Sequence, residues 1–181
     1  MLKGKRIVLR PIEKTDVPDL LVWFNDPEVS QYLSLYLPMT RVGEEKWIEE
    51  VGTIRSMTDI VFMIDVIEDK VVKSIGNCGL HKINWKDRNV EFGIAIGDKD
   101  YWGKGYGMEA AKLIIGYAFG QLNMHRISSG AYGFNTRSIK MQLKLGFKKE
   151  GVDREAIFKN GKYHNIIFFG LLRKEWQMKK K

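Results

Sequence analysis

A single α/β domain built on a mixed, largely antiparallel sheet is the fold class this sequence predicts, and three observations carry it. Between residues 59 and 97, apolar runs alternate with short polar turns, the signature of consecutive strands. From 106 to 122, apolar residues recur instead every three or four positions, the repeat of a buried helix face. No linker, low-complexity tract or internal repeat divides the 181 residues, so one domain spans 1–181.

The elements follow in order. "KRIVLRPI" reads as a first strand with Ile7 and Leu9 on one face, ended by Pro11. "EKTDVPDLLVWFN" is a helix entered through Thr15 or Asp16, with Pro18 in its first turn. "NDPEV" punctuates, and "TRVGEEKWIEEVGT" is a second amphipathic helix centred on Trp47 and Ile48. In the strand-rich stretch that follows, "EDK" and "NWKDRN" are turns, which predicts an antiparallel meander. A glycine-rich loop then opens the helix that buries Ala111, Ile114, Ala118 and Leu122. "HRISSGAYGF" is a strand and "NTRSIKMQLKLGF" a helix closed by Gly146. "KKEGVDREAIFKNGKYHNIIFFGLL" is a final hairpin turning at Asn160-Gly161, and the tail "QMKKK" reads as a frayed end.

Composition narrows the function classes. Thirty Lys and Arg against 22 Asp and Glu give a formal charge of +8, a field that favours anionic partners. The charge is dispersed and no paired aromatic-basic motif for base stacking occurs, which argues against nucleic acid. No apolar run reaches the roughly 18–20 residues of a membrane span, and "MLKGKRIVLRP" lacks a signal-peptide core. The single cysteine, Cys78, reads as a small buried apolar residue, and with no intrachain disulfide possible a cytoplasmic setting is expected. His81, His125 and His164 lack ligand-like spacing, so no metal is expected and each reads as a satisfied polar residue.

The stretch "YWGKGYGMEA" places Gly103, Gly105 and Gly107 between a strand and a helix. That is the arrangement in which bare N–H groups and the helix dipole hold phosphate, with Lys104 adding charge. The spacing excludes two familiar loops: Gly103-Lys104 is followed by Gly105 rather than Ser or Thr, and Met108 stands where a dinucleotide fingerprint needs glycine. With "NTRSIKMQLKLGF" some thirty residues on, the pair resembles the GNAT superfamily of acyl-CoA-dependent N-acetyltransferases. The subgroup is that of the ribosomal-protein N-terminal (RimJ/RimL type) and spermidine acetyltransferases. The similarity runs nearly end to end, from "IVLRPIEKTDVPDLLVWFNDPEV" to "NGKYHNIIFFGLLRKEW".

The resemblance implies a mostly antiparallel central sheet with a splayed strand pair, and acetyl-CoA as co-substrate. Its pyrophosphate would sit on Trp102, Gly103, Lys104, Gly105, Tyr106, Gly107 and Met108. Trp102 departs from the Arg or Gln of the family pattern, whereas Gly105 and Gly107 match it. In "NVEFGIAIG" the alternation puts Glu91, Gly93, Ala95 and Gly97 on one face, a row of small residues that something approaches closely. Resemblance assigns the backbone of Ile94, Ala95 and Ile96 to the pantetheine arm. Glu91 is the expected base for the protonated amine, if burial raises its pKa; the alternative is a salt bridge with Lys or Arg.

The resemblance assigns Asn135, Ser138 and Gln142 to the cofactor, while Asn135 also reads as a plain helix N-cap. Gln142 stands where many relatives carry a tyrosine general acid, so a tyrosine acid at that position is ruled out. Trp23, Phe24, Tyr32, Tyr36 and Trp47 read mostly as core aromatics, and the resemblance implies that some of them line an acceptor pocket. The expected activity is acetyl transfer to a primary amine, of a protein N-terminus or a small molecule, with a homodimer as the family-level expectation. A non-catalytic CoA-binding domain and a polyamine acetyltransferase are the alternatives, and a basic nucleic-acid module stands third.

Overall fold

The computed structural model describes residues 1–51, 58–68 and 71–178. Eight strands form one sheet: β1 (Leu2–Lys3), β2 (Ile7–Pro11), β3 (Ile60–Glu68), β4 (Val71–Asn84), β5 (Asn89–Ile96), β6 (Arg126–Tyr132), β7 (Lys148–Lys159) and β8 (Lys162–Leu172). They are ordered β1-β2-β3-β4-β5-β6-β8-β7. Every neighbouring pair is antiparallel except β5 and β6, so the predicted mixed sheet and meander are both present. Residues 69 and 70 of the expected "EDK" turn lie outside the described residues, but β3 and β4 on either side of them are antiparallel.

Helices cover both faces. α4 (Tyr106–Gly120) packs Ala110, Ala111, Ile114 and Ala118, each 0 % exposed, against the larger core beneath β2–β6. On the other face α1 (Val17–Phe24), α2 (Pro27–Ser30) and α3 (Arg41–Val51) enclose a smaller core of Val17, Leu20, Trp23, Ile48, Val61 and Met63. Asp26 caps α2 by accepting from the Glu28 N–H. Asp16 precedes α1 without capping it; its carboxylate instead takes Arg10 Nη1 and Nη2, while Arg10 Nε donates to Asp65 at 2.7 Å.

α5 (Thr136–Leu145) ends at Gly146 (φ 101°), and Asn160-Gly161 turns the β7–β8 hairpin, both as expected. Residues Arg173–Met178 form α6, an element the sequence reading did not predict, whose buried Trp176 meets Phe119 of α4; of the tail "QMKKK", residues 179–181 lie outside the described residues.

Candidate active site

β5 and β6 run parallel and pair only over Asn89–Glu91 and Arg126–Ser128, then part. A strand pair that separates leaves one edge of β5 without a ladder partner. The Val90 and Phe92 carbonyls on that edge accept from Ser128 Oγ (3.3 Å) and Ser129 Oγ (3.0 Å), and the Ile96 carbonyl accepts from Trp102 Nε1 (2.7 Å). By the two-residue repeat of a strand, the N–H and C=O of Ile94 also point into the gap. Ala95 also lines the cleft, although by the same alternation its own N–H and C=O turn toward β4.

The row of small residues has a second explanation too. A Cβ on Gly97 would stand 2.3 Å from the Trp23 ring, and one on Gly93 3.5 Å from the imidazole of His81. What approaches this face closely is the protein's own Trp23 and His81, and a ligand in the gap meets the strand's edge instead.

The gap opens into a cleft of about 860 Å³ that runs from β5 and β6 to the start of α4 and to α5. Gly103 and Gly105 adopt left-handed φ of 75° and 88°, which only glycine takes without strain, and a Cβ at Gly103 would meet nothing within 4 Å. Gly105 is the N-cap of α4 and carries no side chain to cap it, so the first helical N–H groups lie at the cleft. Two left-handed glycines before a 15-residue helix make a backbone cradle that fits a pyrophosphate.

The acid in that helix's first turn is drawn aside. Glu109 accepts from the Lys5 and Arg6 N–H groups and from Arg6 Nε (3.0 Å), and Arg6 Nη1 also donates to the Lys104 carbonyl. Burial pushes the Glu109 carboxyl up, but these hydrogen bonds outweigh it and hold it below the usual carboxylate range.

Of the predicted loop residues, Trp102, Gly103, Gly105, Gly107 and Met108 line the cleft. Lys104 and Tyr106 do not: Lys104 Nζ lies over the Tyr101 ring at 5.6 Å, and Tyr106 is buried between Tyr101 and Arg6. Buried Tyr106 can reach an anion only through its backbone N–H, whereas the exposed Lys104 keeps its side chain as well. Asn135, Ser138 and Gln142 all line the cleft. The Asn135 side chain is used as an N-cap, accepting the Ser138 N–H at 3.0 Å, and Gln142 is 1 % exposed with its Oε1 unpartnered. Sequence reasoning missed Arg137, which lines the cleft with its guanidinium 5.1 Å from the Trp102 ring. Its place in "NTRS" was the available signal.

Among the described residues, Glu91 is the one carboxylate on the cleft lining, which also carries Lys82, Arg137, Lys140 and Lys144. Its side chain is 42 % exposed and bonded to Lys82 Nζ at 2.8 Å, so the salt bridge weighed as the alternative is present and the burial expected of a base is not. Tyr32, which touches Trp102 and Phe134, walls the cleft beside α2, whereas Trp23 and Phe24 are core and Tyr36 is exposed. Tyr132 stands on the β6 wall, and burial pushes its phenol up, so it keeps its proton at neutral pH. Lys159 of β7 donates to the Ser30 and Leu35 carbonyls, tying the final hairpin to the α2 loop. Cys78 is buried and its thiol is pushed far up by desolvation, so it takes no part.

A family model for the "Acetyltransferase (GNAT) domain" matches residues 6–148. An uncharacterized N-acetyltransferase, p20, of Bacillus licheniformis is 31 % identical over 175 residues, 97 % of each chain. The spermidine N(1)-acetyltransferase of Escherichia coli K12 is 29 % identical over 92 % of this chain and 86 % of its own. In structure, the chain is similar to the spermidine N-acetyltransferase of Vibrio cholerae in complex with CoA and spermine. The TM-score is 0.87 at 22 % identity, covering 96 % of this chain and 99 % of that one. The parted β5–β6 pair, the left-handed glycine cradle at α4 and the end-to-end match together mean that this chain belongs to the GNAT acetyltransferase family.

Proposed function

We propose that the protein moves the acetyl group of acetyl-CoA directly onto a primary amine, of a protein N-terminus or a small molecule, within one ternary complex. The observation that carries this is the continuity of the cleft, from the unpaired edge of β5 to the glycine cradle of α4. Acetyl-CoA supplies an activated thioester. The chain binds its pyrophosphate on the N–H groups of 103–108 and its arm on the main chain of Ile94 and Ile96. Arg137 and Trp102 flank that route, and Glu91 faces the acceptor end. The acceptor enters beside Tyr32 and Leu33, on the α2 side of the cleft.

Relatives that acetylate spermidine support a polyamine as the acceptor. A formal charge of +8 and a lining with four cations opposes it, since a polycation would be repelled on approach. The N-terminal or monoamine reading is therefore preferred. Exposed Phe158 and Tyr163 on the last hairpin support a homodimer, and the lone buried thiol supports a cytoplasmic setting.

Calorimetric titration with acetyl-CoA, followed by a free-thiol assay against peptides, polyamines and amino sugars, tests the proposal. Binding with transfer is expected. Binding without transfer to any amine would leave a CoA-binding domain, and absence of binding at millimolar acetyl-CoA would end both readings. Glu91→Gln is expected to lower turnover while leaving acetyl-CoA affinity nearly unchanged.

A further inference from the structure

Glu91 is ion-paired and half exposed, whereas another proton acceptor stands beside it on the same face of the sheet. β4 is irregular between His81 and Asn84, with Lys82 at φ 51°. Such a bulge turns consecutive side chains toward the residue opposite. His81 is the register partner of Glu91, and Lys82 bonds Glu91, so both residues of the bulge stand opposite the strand residue at which β5 and β6 part.

The His81 ring is held from both sides. Its Nδ1 lies 2.8 Å from Asp59 Oδ1 at the start of β3. An ionised carboxylate only accepts, so Nδ1 carries the hydrogen and Nε2 is the bare nitrogen of the neutral ring. The other edge rests on two glycines: a Cβ on Gly79 would stand 2.4 Å from Nε2, and one on Gly93 3.5 Å from it. Any larger residue at 79 would displace the ring. No hydrogen bond engages Nε2 among the described residues, and the side chain is 36 % exposed.

Gly93 lines the cleft one residue before Ile94, whose main chain faces the gap. Its face is the one on which α1–α3 pack, because Trp23 of α1 presses on Gly97 four residues along the strand. His81 Nε2 therefore lies 3.5 Å from the Cβ position of the cleft-lining Gly93, on the α1–α3 face of β5.

We infer that His81, oriented by Asp59, is the proton acceptor for the amine substrate, with Asp59 as its positioning residue and Glu91 as the group that draws the ammonium in. The inference rests on the transferase reading of the cleft. Nε2 takes one proton from the ammonium, directly or through one water, and becomes imidazolium. The freed nitrogen forms a bond to the acetyl carbon and the carbon–sulfur bond breaks. The second amine proton leaves with the thiolate, and the imidazolium returns its proton to solvent. The products are one amide, one thiol and one released proton.

The test compares the full-length wild type with His81→Ala, His81→Gln and Asp59→Asn. Free-thiol release is measured with spermidine and with a peptide bearing a free N-terminus. A positioned general base contributes roughly 100-fold or more, so His81→Ala and His81→Gln should lose at least about that in kcat. Asp59→Asn should lose about tenfold. Acetyl-CoA affinity by calorimetry should stay within about twofold of wild type in all three, which shows that the fold and the cradle survive. Added imidazole should raise the rate of His81→Ala and leave His81→Gln unchanged, a response that a merely structural histidine would not give.

An active wild type whose His81→Ala variant keeps more than half its kcat, or gains nothing from imidazole, overturns the assignment of His81 and leaves the transferase reading standing. A wild type that binds acetyl-CoA but acetylates neither probe counts against the transferase reading, and the assignment falls with it.

Discussion

Arg6 lies outside every motif, yet it sets the charge at the cofactor cradle, so Arg6→Ala is a stringent perturbation. Arg6 Nε holds Glu109 at 3.0 Å, and together they add no net charge near the start of α4. Removing Arg6 leaves one uncompensated carboxylate near the start of α4, still held by the N–H groups of residues 5 and 6. Four residues of helix rise from Gly105 plus one hydrogen-bond length put that charge about 9 Å from the anion. At an effective dielectric of about 40, Coulomb's law gives roughly 0.9 kcal/mol for each pyrophosphate charge, or about 1.8 for two. Screening with a Debye length of about 8 Å at 0.15 M salt leaves about 0.6 kcal/mol, and about 30 Å at 0.01 M leaves about 1.4.

Calorimetry with acetyl-CoA should therefore show Kd rising about threefold at physiological salt and about tenfold at 10 mM. Adding Glu109→Gln to Arg6→Ala removes the stranded charge and should restore most of the affinity at both salt concentrations. A Kd unchanged at 10 mM salt, or a double variant as weak as Arg6→Ala, would refute the electrostatic account of the cradle.

Gly97→Ala forces a methyl to within 2.3 Å of the Trp23 ring. Trp23 must then retreat by about 1 Å, and overpacking of this kind costs about 1–3 kcal/mol, seen as a lower midpoint in urea unfolding. Arg10→Met strands Asp16 and Asp65, each 4 % exposed, and should cost about 3–5 kcal/mol, a fall in Tm of roughly 6–20 °C by calorimetry. Cys78 should not react with a thiol reagent at pH 8 until denaturant unfolds the chain, because desolvation keeps it protonated. The Glu109 carboxyl titrates below its ordinary 4.5, so its contribution to stability is complete above that value and is lost as pH falls through the folded one. Glu109→Gln should flatten that acid limb in pH-dependent thermal melts.

Most of the sheet was legible from the chain, because the period-2 runs of β2–β5 and the Asn160-Gly161 turn are local signals that survive in any context. α6 was not, since its stability comes from Trp176 against Phe119, a contact across the fold that the basic tail hides. In the site, left-handed glycines before a helix announce an anion cradle locally, and Gly103 and Gly105 have that conformation. The alternation of "NVEFGIAIG" was equally visible, but its meaning was misplaced. The small face makes room for His81 and Trp23, whereas the edge toward β6 carries the open main chain.

The sequence by itself determined the order of elements, the glycine cradle and the family pattern, all of which are written in residue types a few positions apart. Only the tertiary structure decided which charges face one another. Arg6 reaches Glu109 across 103 residues, Lys82 meets Glu91 through a bulge, and Asp59 turns the ring of His81. Pairings of this kind depend on strand register and on where β5 and β6 part. No local pattern encodes a register, because it is settled by the packing of the whole sheet.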